Sequence, residues 1–484
     1  MTLRLLCVAS ECAPLVKTGG LADVVGALPG ALAAEDVRCT VLLPGYPAVL
    51  AALGEARLLR QLGDLFGGPA WLRRGHAAGL DIIAIEAPHL YARPGGPYQA
   101  PHGGDWPDNA IRFAALGAVA AQLAGGGVDG IGFDLVHAHD WQAGLVPAYL
   151  RFAVAPRRVP AVFTIHNLAF QGQFPLDLFP RLGLPPQALS TEGLEYYGSI
   201  GFLKAGIWYA DRITTVSPSY AAEIRTPQMG MGLDGLLRGR AGVLGGILNG
   251  IDTTEWNPGT DPHLAANFTA ADPAPRVVNK QALRRRLGLA EDAGRLVFGF
   301  VGRLAWQKGV DLILGALPAL LAEGAQLALL GTGEPGLEQA ARDAAAAHPG
   351  QVGAAIGFDE GLARLIYGGA DAVLVPSRFE PCGLAQLCAL RYGALPLVAH
   401  TGGLVDTVID ANEMALEAGC ATGVHFSPVA VEMLEAAIGR MAALHRDPSL
   451  WGRCQANGLK TDVSWSRSAS RYAALYRDTI AHAG

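Results

Sequence analysis

The chain runs one rhythm twice, and that rhythm limits the folds open to it. Short β-branched or apolar runs alternate with longer amphipathic stretches. Residues 3–9, 37–43, 82–85, 135–138, 162–165 and 213–216 have the composition of buried strands. Between them, residues 21–32 and 111–123 place apolar side chains at helical spacing, as Leu21, Val24, Val25 and Leu28 do. Strands that are apolar throughout and separated by helices argue for a parallel sheet covered on both faces. The pattern then restarts with a strand at 296–301, a helix over 309–321 and further strands at 327–330, 354–356, 372–375 and 397–399. A chain of 484 residues exceeds what one hydrophobic core supports. The expectation is therefore α/β, with two Rossmann-like, doubly wound lobes spanning 1–248 and 249–462. The break falls near Asn249-Gly250, before a Pro-containing connector over 257–275, and a helical segment, 463–484, closes the chain.

Charge and cysteine usage narrow the function. The net charge is −6 and no basic block occurs, which argues against nucleic acid as a partner. The short run Arg284-Arg285-Arg286 reads as the solvated face of a helix. Seven cysteines, an odd number without metal-ligand spacing, read as reduced thiols in a cytoplasmic protein with no bound metal. Arg4 followed by Leu5, Leu6, Cys7 and Val8 mimics a signal peptide, but Glu11 ends the apolar run too early, so a first strand is expected. No apolar run has the length of a membrane span, and no membrane partner is expected.

The chemistry-bearing motifs fall at strand ends. Lys17-Thr18-Gly19-Gly20-Leu21 joins the first strand to the first helix. Two glycines, a helix N-terminus and a lysine suit a phosphate, and an ordinary Gly-rich turn with a surface lysine explains the string equally well. Arg303 and Lys308 follow the first strand of the second lobe. Paired cations at a helix start oppose the helix dipole unless an anion sits there, which favours phosphate oxygens over two solvated charges. Glu380, within Ser377-Arg378-Phe379-Glu380-Pro381-Cys382-Gly383-Leu384, can accept hydrogen bonds from sugar hydroxyls, or simply cap the helix that follows. Thr401-Gly402-Gly403-Leu404 is a second Gly-Gly turn, suited to a distal phosphate. In the first lobe, His137, His139, Asp140 and Trp141 follow one strand, and His166 and Asn167 another. No third ligand accompanies the histidines, so a metal site is not expected. Asp140 and Trp141 suit sugar binding, while His166 reads either as functional or as a satisfied histidine at a strand end.

At these residues the chain resembles bacterial glycogen synthases and plant starch synthases, retaining glucosyltransferases of the GT-B fold. The matching strings are Lys17 to Val24, Trp106-Pro107-Asp108-Asn109, His137 to Trp141, Asn249-Gly250-Ile251-Asp252, Gln307-Lys308-Gly309, Ser377 to Leu384 and Thr401 to Leu404. They run in family order over nearly the whole chain. The resemblance implies glucose transfer from ADP-glucose to an α-1,4-glucan such as glycogen, in a cleft between the lobes and without a cofactor. It also implies that Lys17, Arg303 and Lys308 contact the diphosphate and that Gly19 and Gly20 bring backbone to it. Glu380, Cys382, Gly383 and Leu384 would hold the donor, with Asn249, Thr401, Gly402 and Gly403 beside it. His166 would lie near the reacting carbon, and Tyr98, Asp140 and Trp141 on the acceptor side. The last helix would pack back on the first lobe. Two positions depart from the family pattern: Ala385 stands where Thr is frequent, and His400 where Arg is. The rival readings are a same-fold transferase with another donor or acceptor, and a catalytically silent glucan-binding protein.

Overall fold

A computed structural model of the protein describes residues 2–126, 131–153 and 158–483. It divides into two compact units, Met1–Asn249 with Trp465–Gly484, and Gly250–Ser464.

The first unit opens with β1 (Leu3–Val8), β2 (Val37–Pro44), β3 (Arg57–Asp64), β4 (Pro69–Ala77) and β5 (Leu80–Glu86). Next come β6 (Leu135–His139) and β7 (Ala161–Ile165), then three short strands, β8 (Gln173–Pro175), β9 (Glu195–Tyr196) and β10 (Ser199–Gly201). β11 (Arg212–Thr215) and β12 (Leu244–Gly246) complete it. The main sheet runs β12-β11-β7-β6-β1-β2-β5-β4-β3, and β8, β10 and β9 form a small sheet of their own. Every pair from β12 to β5 is parallel, while β4 pairs antiparallel with β5 and with β3. Side chains alternate across the sheet, so β1 feeds two cores. Leu6 and Val8 join the larger one, with Phe113 and Leu116 of the helix Asn109–Gly126. Leu3 and Leu5 join the other, with Val24 and Leu28 of the helix Gly20–Ala33 and with Tyr472 and Tyr476. Those tyrosines belong to the last helix, Ser466–His482, which thus completes the first unit.

The second unit holds β13 (Val297–Val301), β14 (Gln326–Gly331), β15 (Val352–Ile356), β16 (Ala372–Val375), β17 (Leu395–Ala399) and β18 (Val424–Phe426). They form a parallel sheet in the order β15-β14-β13-β16-β17-β18. Here too alternate residues serve two cores, Phe298, Leu327 and Leu329 on one face and Val297, Ala328 and Leu330 on the other.

Two local expectations change. The helix over 309–321 is two helices, Val310–Gly315 and Leu317–Ala322, because Pro318 in the second one's first turn has no N–H to continue the first. Arg284 is buried rather than solvated: its guanidinium donates to Gln326 Oε1 at 2.9 Å and to the Arg295 carbonyl at 3.0 Å.

Candidate active site

Each sheet has a point where strand order reverses, and ligands of open α/β sheets bind beyond the strand carboxyl ends there. In the second unit the reversal lies between β13 and β16. The loop after β13 carries Arg303 and Lys308, and the loop after β16 carries Glu380. The structure joins the last two: Lys308 Nζ lies 2.5 Å from Glu380 Oε2, which also accepts the Ser377 hydroxyl at 2.8 Å. Glu380 is buried and Lys308 partly so, whereas Arg303 is exposed.

Neighbouring groups hold these loops together. Arg378 forms a two-pronged pair with Asp311 at 2.8 and 2.7 Å and stacks on Trp306, 4.4 Å from its ring centre. Gln307 and residues 378–379 exchange bonds, Arg378 N–H to the Gln307 carbonyl at 2.9 Å and Gln307 Nε2 to the Phe379 carbonyl at 3.2 Å. Gly309 has a φ of +70°, and a Cβ there would run into the Pro376 carbonyl. The residue therefore permits both the left-handed turn after Lys308 and its contact with the β16 loop.

The Thr401-Gly402-Gly403 turn after β17 packs on the same segment. Gly403 N–H donates to the Glu380 carbonyl at 3.0 Å, and Cβ atoms at 402 and 403 would collide with the backbone of Glu380 and Cys382 respectively. Its glycines thus set a backbone-to-backbone contact, and Gly403 N–H is already engaged. Gln386, which sequence reasoning passed over, ties the two segments further. Its Nε2 donates to the Cys382 and Gly383 carbonyls, each at 2.9 Å, and to Thr407 Oγ1 at 3.1 Å. Gly383 turns with φ +75° and Leu384 leads into the helix Ala385–Arg391. His400 is exposed, its Nδ1 3.2 Å from His425 Nδ1.

In the first unit the reversal lies between β1 and β6. Beyond β1, Lys17 pairs with Asp23 at 2.6 Å. Beyond its chain neighbours, a Cβ on Gly19 would meet nothing within 4 Å among the described residues, so the space beside that backbone is open. Sequence reasoning missed Glu11, using it only to end the first apolar run. Its buried carboxylate accepts Thr18 Oγ1 at 2.6 Å and Gly19 N–H at 3.3 Å, and also Thr18 N–H and the Tyr98 hydroxyl. A charged residue directly after a buried strand was the available signal. Tyr98 also meets Ser10 Oγ at 2.7 Å.

Beyond β6 and β7 lies a buried polar cluster. Asp140 turns with φ +57°, and its Oδ1 accepts His166 N–H at 2.8 Å. Burial pushes the Asp140 carboxyl up to about 7, against the backbone N–H groups of His166 and Asn167. His139 Nδ1 lies 2.9 Å from His166 Nε2. His137 meets the Tyr476 hydroxyl at 2.8 Å and Thr164 Oγ1 at 2.6 Å. Burial lowers all three histidines, His137 and His166 to about 3, so all are neutral at pH 7. Trp141 packs among Phe113, Tyr98 and Phe174, at 5.0, 6.2 and 5.7 Å between ring centres. Asn249, the last residue of this stretch of the unit, has a buried Oδ1 without a partner among the described residues.

The chain matches two family models, "Starch synthase catalytic domain" over residues 4–239 and "Glycosyl transferases group 1" over residues 280–456. It is 59% identical to a glycogen synthase of Rhodopseudomonas palustris over 98% of this chain and 97% of that one. It is also 59% identical to a glycogen synthase of Acidiphilium cryptum, over 98% and 99%. The catalytic domain of starch synthase IV from Arabidopsis thaliana, bound to ADP and acarbose, superposes with a TM-score of 0.87 at 31% identity, covering 99% of this chain and 100% of that one.

Proposed function

Because the chain belongs to the glycogen synthase and starch synthase family of glycosyltransferases, we propose that it transfers glucose from ADP-glucose to the non-reducing end of an α-1,4-glucan, retaining the configuration and releasing ADP. The observation that carries this reading is the Lys308–Glu380–Ser377 cluster at the strand-order reversal of the second unit.

Breaking the bond between glucose and phosphate leaves negative charge on the diphosphate and positive character on the sugar. Fixed cations stabilise the first most effectively where water is excluded. Lys308, held by Glu380, and the exposed Arg303 supply that charge from the second unit, and Lys17 from the first. With three cations available, the diphosphate needs no metal to neutralise it. Glu380, oriented by Ser377 and Lys308, accepts hydrogen bonds from the glucose hydroxyls, and the backbone of Cys382, Gly383 and Leu384 lies along the donor with the Thr401-Gly402-Gly403 turn. Asn249 offers its Oδ1, unpartnered among the described residues, and Gly19 and Gly20 bring backbone to the phosphates, with open space beside Gly19. His166 stands beside the reacting carbon, and departure and attack share one face of the sugar. Asp140 serves by fixing the backbone of His166, and Tyr98 and Trp141 border the acceptor. No helix among the described residues is long and apolar enough to cross a membrane, and a cytoplasmic enzyme fits the uncoupled cysteines.

The test is nucleotide release from ADP-glucose and from UDP-glucose, each with and without glycogen. Glycogen-dependent ADP release is expected. Release from UDP-glucose alone would replace the donor, and release from neither would turn the reading towards a silent glucan-binding protein.

A further inference from the structure

The histidine pair at the carboxyl ends of β6 and β7 contains one proton whose position decides what His166 offers a ligand. His139 is fully buried and His166 nearly so. The 2.9 Å between His139 Nδ1 and His166 Nε2 requires one of those atoms to donate and the other to accept. Two arrangements satisfy this for neutral rings. If His166 Nε2 donates, the His139 proton must sit on its own Nε2. That atom is buried and has no hydrogen-bond partner among the described residues, so the arrangement leaves an orphan N–H. If His139 Nδ1 donates, the orphan atom is a lone pair instead. Unpaired buried N–H groups are rarer than under-used acceptors, which favours the second arrangement. A shared extra proton is opposed by the burial of both rings, by the neighbouring His137 ring stacked 4.0 Å from His139, and by the lowering of all three histidines. Asp140, the acidic group beside the pair, directs its Oδ1 to the His166 backbone N–H rather than to either ring.

We propose that His139 is a positioning residue that fixes His166 as the Nδ1–H tautomer. Nε2 of His166 is engaged by His139, and no hydrogen bond to its Nδ1 occurs among the described residues. His166 then presents a donor, not an acceptor, to whatever binds there. An oxygen lone pair on the donor sugar or its phosphate suits it, and a group able only to donate is rejected. His137 supports this from behind, its own ring locked at both nitrogens by Tyr476 and Thr164.

The catalytic consequence rests on the reading of His166 given above, but the tautomer does not. The first measurement is long-range proton–nitrogen correlation NMR on the full chain with isotopically labelled histidine, at about pH 8 where free imidazole is neutral. His139→Leu and His166→Gln supply the assignments. Protonated Nδ1 at both positions is expected, and protonated Nε2 at His166 overturns the proposal. In His139→Leu, His166 should pass to the Nε2–H form, with kcat down by about 100-fold and the glucan KM unchanged. A released tautomer with unaltered kcat also overturns the positioning role. If His139→Leu does not fold, the wild-type spectrum, assigned through His166→Gln, still decides the tautomer. Failure of the wild type to release ADP would instead count against the proposed function, and would leave the NMR result standing.

Discussion

Replacing Lys308 by Ala separates two roles of one ammonium. The Glu380 side chain is 8% exposed and that of Lys308 25%. Without Lys308 the carboxylate keeps the Ser377 hydroxyl at 2.8 Å but loses its cation. Removing one partner of a fully buried pair costs about 3–5 kcal/mol. The surviving serine bond and the partial exposure of Lys308 bring the expected cost here to about 2 kcal/mol. For a unit the size of Gly250–Ser464, that lowers its melting temperature by about 4–8 °C. Turnover should fall by about 10²–10³, the usual loss on removing one group that stabilises developing charge. The double variant Lys308→Ala with Glu380→Gln removes the stranded charge along with the cation. It should recover most of the melting temperature and none of the turnover. The assay is ADP release at saturating ADP-glucose and glycogen, with differential scanning calorimetry on the same samples. Turnover that follows the melting temperature, restored in the double variant, would refute a catalytic role for the ammonium and leave it a structural ion pair.

Acid should weaken the protein through its buried histidines. His137 and His166, lowered to about 3 from 6.5, bind fewer protons folded than unfolded, so their contribution is full above pH 6.5 and is lost as pH falls. Between about pH 7.5 and pH 5 each loses stability, while Asp140, raised to about 7, returns some as it protonates. Three lowered histidines, His139 included, against one raised carboxyl leave a net loss, and urea titrations at the two pH values measure it. In Gly403→Ala the new Cβ would stand 2.5 Å from Cys382 Cα, forcing the turn away from the segment that carries Glu380 and Cys382. The KM for ADP-glucose should rise about tenfold or more. Gly30→Ala, whose Cβ meets nothing within 4 Å on the helix Gly20–Ala33, should leave KM alone and stabilise by about 0.5–1 kcal/mol. Tyr476→Phe should cost about 1–3 kcal/mol in denaturant by stranding His137 Nδ1.

The sequence made the central strands of both sheets legible because strands buried on both faces carry continuous apolar runs, as Val373, Leu374 and Val375 do. β3 and β4 were missed because they form the edge of the first sheet, where Arg57, Arg60, Arg73 and Arg74 break any apolar pattern. The two- and three-residue strands around Tyr196 are too short to leave a periodic signal. Among site residues, cations and glycines at strand ends could be read directly. Glu11 and Gln386 could not, since each acts through bonds to backbone brought near by folding. For the same reason the sequence shows Asp140 as a candidate sugar-binding carboxylate but not the bond by which its Oδ1 holds the backbone of His166. Arg284 misled for the converse reason: nothing local distinguishes a buried arginine from its exposed neighbours.

The return of the last helix to the first unit orders events during synthesis. Translation delivers residues 250–464 before Trp465, Tyr472 and Tyr476, which close the core around Leu3, Leu5, Val24 and Leu28. The second unit can therefore be complete on the ribosome while the first still shows an uncovered apolar seam and His137 lacks its tyrosine. The part made first is finished last, and for that interval the nascent chain offers chaperones, proteases and other nascent chains a surface that the finished molecule hides.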